Sequence, residues 1–319
     1  MQRRAMLAGG LAAAASLALK AWAQGSFPSR PVEIVVPYAA GGPTDRYARA
    51  FALLLSERWG QSVVISSKPG GAAAIGAAAV ANAAPDGHTL LLASMGMVTN
   101  QILFRNLAYD PRALSPLCRV ALGGGILFVH PSVPATTPAE LRDWARARPG
   151  ALRFGSSGIG STPHLSAELF AWRAGIDIVH IPYRGTAPAM TDLLAGHINA
   201  MFDSPSSIRY AREGQVRALG ASTPERLPIA PEVPTLEESG FDATARTFYG
   251  FFAPTAVPEP LRDRIAEDIR KIALAEPIRA IFREDSLEAH ADGPAEFGRF
   301  LAEQLSFWSE VIRERRITL

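Results

Sequence analysis

Val32-Glu-Ile-Val-Val36, running directly into Pro37-Tyr-Ala-Ala-Gly-Gly-Pro-Thr44, is the stretch on which the fold turns. Four β-branched residues in five read as a strand. The glycine pair interrupts it, and Gly42-Pro43 opens a helix, because proline's missing N–H is harmless at the first helical position. Tyr47, Phe51, Leu54 and Leu55 then recur at helical spacing, and Gly60 closes the segment. Strand, glycine loop, helix is one βα unit.

The same grammar recurs outward along the chain. Strands are expected at Val63–Ile65, Thr89–Ala93, Leu117–Ala121, Ile126–Val129, Arg153–Phe154, Ile178–Ile181, Ala200–Phe202, Val216–Leu219 and Tyr249–Phe252. Between them, Thr137-Pro-Ala-Glu140 spells a capping box for a helix to about Arg148. Thr162-Pro163 opens a helix that ends at Gly175, and Ser204-Pro205 one that ends at Gly214. Ala72–Ala84 reads as a tightly packed helix before the turn Pro85-Asp-Gly87. Alternation of this kind predicts an α/β protein with a mostly parallel sheet. After Tyr249–Phe252 the pattern becomes helical: Pro258–Ala275, Pro277–Asp285 and Pro294–Glu314. A chain that leaves one domain, builds a second and returns would look like this. Domain 1 is placed at residues 26–122 plus 252–319, and domain 2 at 123–251, with Gly123-Gly-Gly125 at the first crossing.

Met1–Ala23 has the marks of an export signal: Arg3 and Arg4, an apolar run from Ala5 to Leu19, then Ala21-Trp-Ala23 before a cleavage site. The run of 15 residues is shorter than the ~20 that a spanning helix needs. The adjacent arginines leave both general and twin-arginine export open. A periplasmic location is expected, with the mature chain starting near Gln24. The whole chain has 32 Lys+Arg and 30 Asp+Glu; without the three leader bases the count is 29 against 30. A near-neutral protein lacks the basic stripe that nucleic acid requires. Cys118 is the single cysteine, so no intrachain disulfide forms, and it reads as a small buried residue.

Four loops share one design, following a strand with glycine or hydroxyl residues and running into a helix start. They are Pro37–Thr44, Gly155–Thr162, Tyr183–Thr186 and Asp203-Ser204. In open α/β sheets, ligands bind beyond the carboxyl ends of the strands. There the first-turn N–H groups lack partners and the helix dipole favours an anion. A carboxylate is the natural guest. The candidate binding residues are Tyr38, Ala39, Gly41, Gly42, Thr44 and Ser94 on one side, and Ser157, Gly160, Ser161, Thr162, His164, Tyr183, Arg184, Gly185 and Asp203 on the other. Each loop is also compatible with a plain strand-to-helix turn, and Asp45 with a helix start. Arg184 is either a carboxylate clamp or a solvated arginine. Asp203 either caps the next helix or meets a ligand's ammonium or hydroxyl.

Enzymatic motifs are absent. Gly158-Ile-Gly160 lacks the third glycine of a dinucleotide fingerprint, and the pattern around Ser157 fails as a nucleophile elbow at Ile159. The six histidines form no metal motif; His164 and Glu168 share a helix face, but two ligands do not make a site. No catalysis, cofactor or metal is expected. The rival reading is an exported hydrolase using Ser157, His164 and Asp203, or a ligand sensor that signals to a partner.

The same loops resemble those of the substrate-binding receptors of tripartite tricarboxylate transporters, the Bug-type receptors. The matching stretches include Pro31–Asp45, Lys68-Pro-Gly-Gly71, Pro85-Asp-Gly-His-Thr-Leu90, Gly155–Ser161, His180-Ile-Pro-Tyr-Arg-Gly185, Met201-Phe-Asp203 and Pro231-Glu-Val-Pro-Thr235, in order along the chain. The resemblance implies a two-domain periplasmic binding protein of type II-like, Venus-flytrap architecture, with mixed sheets flanked by helices. It implies closure on a small mono- or dicarboxylate or amino acid, and delivery to an integral-membrane permease. It also implies that Ala39–Thr44 and the loop near Ser94 face Ser157–Thr162, Tyr183–Gly185 and Asp203 across the cleft. The chain is expected to act as a monomer. Two departures stand out. Pro43 removes one N–H from the first loop. Met95 and Met97 stand where such receptors commonly carry small or polar residues, which suggests a less polar ligand body lined by thioethers.

Overall fold

A computed structural model describes residues 27–318. The expected export signal and its cleavage site lie outside these residues. The described chain forms two mixed sheets flanked by helices. The six-stranded sheet has the order β11-β4-β10-β3-β1-β2, built from β1 Val32–Val36, β2 Val63–Ser67, β3 Thr89–Ala93, β4 Leu114–Gly124, β10 Arg246–Pro254 and β11 Glu288–Asp292. The five-stranded sheet runs β7-β6-β8-β5-β9, from β5 Ile126–Val129, β6 Arg153–Ser156, β7 Val179–Pro182, β8 Ala200–Asp203 and β9 Arg217–Ala221.

The sheets are less parallel than the βα alternation predicts. β1 pairs in parallel with β2 and β3, and β6 with β7 and β8. β10 is antiparallel to both its neighbours, and so is β5. The reason is connectivity. β4 leads directly into β5 through Gly125, and β10 brings the chain back, so the strands that carry the crossings run against those of the βα units. β10 enters the six-stranded sheet at Arg246, where it opposes Gly124. β10 therefore starts at Arg246, three residues before the expected Tyr249; its polar head, Arg246-Thr247, hides that start in the sequence.

The expected helices form, but of the expected side-chain caps Thr137 makes its bond while Thr162 lies inside its helix and Ser204 caps nothing. α1 Pro43–Trp59 ends at Gly60 in the left-handed conformation. α2 Ala74–Ala81 and α3 Gly96–Leu103 flank β3. α4 Pro138–Arg146 is capped by the Thr137 hydroxyl, which accepts from Glu140 N–H at 3.1 Å. The Glu140 carboxylate turns instead to Thr136, so this box closes one residue early. α5 Thr162–Ala174 ends at left-handed Gly175. α6 Thr186–Leu194 follows β7, and α7 Ile208–Arg212 follows a 3-10 turn at Pro205–Ser207. α8 Glu259–Ala273, α9 Glu276–Glu284 and α10 Pro294–Glu314 complete the chain, with β11 inserted before α10. β11 was not expected. Its sequence, Glu-Ala-His-Ala-Asp, has no β-branched residue; it is held by pairing to β4 and by ion pairs Arg246–Glu288 and Arg119–Asp292.

One apolar core runs through both sheets, from Val35 and Leu91 to Phe154 and Phe202, and takes in Phe297 and Trp308 of α10. The end of α10 reaches the five-stranded half, where Arg315 Nε donates to Glu168 of α5 at 2.8 Å. Cys118 is fully buried on β4, and burial pushes its thiol up to about 12. The two crossings are tied by Ser222. Its hydroxyl accepts from Gly125 N–H at 3.0 Å and donates toward Ala245 O at 3.1 Å, and its backbone bonds both segments. A Cβ at Gly125 would stand 2.9 Å from Asp203 O, so the chain passes here only as glycine. Among the described residues, no helix is long and apolar enough to cross a membrane.

Candidate ligand site

The first loop, residues 37–44, leaves the carboxyl end of β1. Ala39 and Gly41 are exposed, Tyr38 and Gly42 half-buried, and Thr44 buried. Asp45 has a larger part than starting the helix. It accepts the Gly41 N–H at 3.1 Å and holds Arg49 through two bonds of 2.9 and 3.1 Å. The Arg49 hydrogen bond keeps its carboxyl below the usual range. The helical ladder begins with Arg46 N–H to Gly42 O, so the Thr44 and Asp45 N–H groups precede it. Tyr38 leans across to β3, its hydroxyl accepting the Ser94 N–H at 3.2 Å, and burial raises the phenol to about 12.

The second loop, residues 156–162, is laced by its own bonds. Ser156 Oγ accepts from Gly158 N–H at 3.1 Å, and Gly158 O receives the Ser161 hydroxyl at 2.6 Å and the Ser161 N–H at 3.2 Å. Gly160 donates its N–H to His164 Nδ1 at 3.1 Å. Gly160 is thus engaged internally, and His164 is the post that supports it. The imidazole is 3% exposed and stacked on His180 at 3.7 Å between centroids. His180 Nε2 lies 2.6 Å from Ser156 Oγ, so the histidine pair underpins both ends of the loop. Burial, aided for His164 by its neighbour, lowers the two pKa values to about 3 and about 4. Both rings are neutral at pH 7. Ser157 and Ser161 are half-buried along the same turn.

In the third loop, Tyr183 donates its hydroxyl to Asp192 at 2.6 Å and its N–H to Ser156 O at 2.9 Å, which ties this loop to the second. Burial and the Asp192 bond raise the phenol to about 12. Arg184 is exposed, without an ion-pair partner among the described residues, and Gly185 has φ 121°. Asp203 ends β8 and accepts the Ser207 hydroxyl at 2.7 Å, just before α7. That is a turn-holding role, and it leaves Asp203 half-buried with burial raising its carboxyl. The Asp285 carboxylate of the six-stranded half adds a little to that rise, and Asp203 adds to the rise that burial gives the Tyr249 phenol. Asp285 in turn accepts from Tyr47 Oη at 2.6 Å.

The structure does not assemble Ser157, His164 and Asp203 into a catalytic set: His164 serves Gly160 and faces Glu168 at 3.8 Å, while Asp203 is held by Ser207. Glu168 is bound by Arg315 rather than poised for a metal, and no metal-holding group occurs among the described residues. The methionines also differ from expectation. Met95 and Met97 are 1% and 5% exposed in the core, and Met97 borders a hollow of about 170 Å³ with Arg112 and Leu301. Sequence reading missed Thr247 on β10. Its hydroxyl lies 3.1 Å from Ser94 Oγ and receives the Thr162 hydroxyl at 3.2 Å, joining the two halves. The only signal was a hydroxyl at the head of the returning strand.

Residues 47–317 match the family described as tripartite tricarboxylate transporter family receptor. The chain belongs to this family. It is 34% identical over 321 residues to the UPF0065 protein in the tcbD-tcbE intergenic region of Pseudomonas sp. (strain P51), covering 99% of this chain and 95% of that one. Among solved structures, the periplasmic binding protein BugD superposes with a TM-score of 0.83 at 29% identity, over 92% of this chain and 99% of its own. Rpa4515 of R. palustris with adipate gives 0.83 at 32% identity, with the same coverage. The α/β architecture with two mixed sheets is therefore that of the family's periplasmic binding proteins, and the receptor's relatives are solute receptors rather than enzymes.

Proposed function

We propose that this receptor holds a small organic carboxylate between its two sheets, in the periplasm, and hands it to a membrane permease. The halves expected at residues 26–122 with 252–319 and at 123–251, with β10 joining the first from Arg246, would close on one another, with the Ser222-tied crossings as the hinge. The observation that carries this reading is the hydroxyl contact from Ser94 through Thr247 to Thr162, which brings the helix start of the second loop against the six-stranded half. A ligand at that seam meets first-turn N–H groups of α1 and α5, which favour an anion without a basic side chain. The carboxylate class is supported by the adipate bound to a relative of similar fold. Asp203 would receive a ligand's hydroxyl or ammonium if it reaches the cleft.

Thermal stabilisation of the purified protein by a panel of mono- and dicarboxylates tests the reading. A ligand at a hundredfold excess over its Kd stabilises the native state by ~2.7 kcal/mol. At least one acid is expected to raise the melting temperature, and its dimethyl ester to leave it unchanged. Equal shifts from acid and ester would end the carboxylate reading, and turnover of either would bring a hydrolase forward.

A further inference from the structure

Ser94, Thr247 and Thr162 form an unbroken run of hydroxyls from one sheet to the other. Ser94 follows β3 and is 8% exposed, Thr247 lies on β10 beside it, and Thr162 heads α5 in the five-stranded half. Each hydroxyl carries one proton. Two bonds among three hydroxyls use two protons; the Ser94 side chain also meets the Tyr38 hydroxyl, which brings a proton of its own to that third bond. One O–H therefore remains to be donated: that of Ser94 when Thr247 points toward it, that of Thr247 in the reverse case. This spare donor stands beside the first turn of α5, whose ladder begins only with Leu165 N–H to Ser161 O.

A free hydroxyl donor and unpaired helix N–H groups at one point suit a carboxylate oxygen, which accepts more than one hydrogen bond. We propose that Thr247 is a ligand-contacting residue, which completes a subsite where one carboxylate oxygen is held by both halves at once. The proposal rests on the carboxylate reading and deepens it. Ser94 and Thr162 each belong to one half, whereas Thr247 touches both, so its hydroxyl couples ligand affinity to closure.

Thr247→Val removes the hydroxyl at nearly constant volume, and Thr247→Ser keeps it. Calorimetric titration with adipate and with each acid that stabilises the parent should show Thr247→Val weakened by about tenfold or more, the effect of losing a hydrogen bond to a charged group. Thr247→Ser should stay within about threefold. Affinity of Thr247→Val within about twofold of the parent overturns the proposal. Circular dichroism and the ligand-free melting temperature check folding, and Thr162→Val removes the same bond from its other end should Thr247→Val not fold. Small-angle scattering without ligand supplies a second readout. A larger radius of gyration in both valine variants supports the bridge, and radii equal to the parent's overturn it. A parent that binds no acid defeats the carboxylate reading; the scattering result then decides the bridge by itself.

Discussion

The loops at residues 37–44 and 156–162 are written in similar letters and built in different ways. Each follows a strand, carries two glycines and enters a helix with proline in its first turn. The first is held by Asp45 on the Gly41 N–H and by Tyr38 reaching to Ser94, and its tip is exposed. The second closes on itself and stands on two stacked histidines beneath it. A Cβ at Gly41 meets nothing within 4 Å, whereas one at Gly160 would stand 2.8 Å from Leu103 Cδ1 and 3.1 Å from Thr99 Oγ1. Glycine frees the backbone in one loop, and in the other it also admits a neighbouring helix. In the proposed site the second loop would be the more firmly held wall and the first the more open one.

The largest effect should come from Gly160→Val. A β-branched residue at φ +75° adds strain of about 1–3 kcal/mol to the clash with α3. Ligand-induced thermal stabilisation should vanish, while Gly41→Ala, at φ +82° in open space, should retain most of it. Equal losses in the two variants would erase the contrast between the walls.

His164→Phe is next. It keeps the ring but leaves the Gly160 N–H without its acceptor, an unsatisfied buried donor worth about 1–3 kcal/mol. The urea midpoint should fall, and affinity for the stabilising acid should drop by about tenfold. An unchanged midpoint would show that the loop holds without its post.

Acid should loosen the same wall. Both histidines have folded pKa values below the ordinary 6.5, so the unfolded chain binds more protons as pH falls. Their contribution is present above about pH 6.5 and is lost progressively toward pH 4 and below. The raised carboxyls of Glu168, facing His164, and Asp203 act in the opposite sense and reduce the slope. Urea midpoints between pH 7 and 4.5 should decline in the parent and decline less in His180→Phe; identical slopes would remove the histidine pair as the cause.

The smallest effects belong to the first and third loops. Asp45→Ala releases the Gly41 N–H, a hydrogen bond worth about 1 kcal/mol, and should weaken binding only a few-fold. Arg184→Ala should leave affinity within about twofold, because the exposed guanidinium has no ion-pair partner among the described residues to orient it. A large loss at Arg184 would move the site to an arginine-centred clamp.

Much of this architecture was legible from local signals. Val32–Val36, Thr89–Ala93 and Ile126–Val129 form strands at the expected residues, and Gly60 and Gly175 end helices because a left-handed cap needs no Cβ there. Periodicity and capping depend on neighbours within a turn or two, so a sequence displays them. β11 escaped because its stability comes from pairing with β4 and from ion pairs to Arg246 and Arg119, partners far away in the chain. The parallel bias was overestimated for the same reason: strand direction in β4, β5 and β10 follows from the crossings between sheets, which leave no local mark.

The candidate site divides along the same line. The sequence by itself determined which loops end strands and open helices, and therefore where unpaired N–H groups are offered. Only the tertiary structure decided which donors are already engaged, that His164 is a neutral support rather than a base, that Met97 faces the core, and that Thr247 joins Ser94 to Thr162. A hydrogen bond is fixed by where its partner stands in space; residues 94, 162 and 247 acquire their relation only when two sheets close on one another.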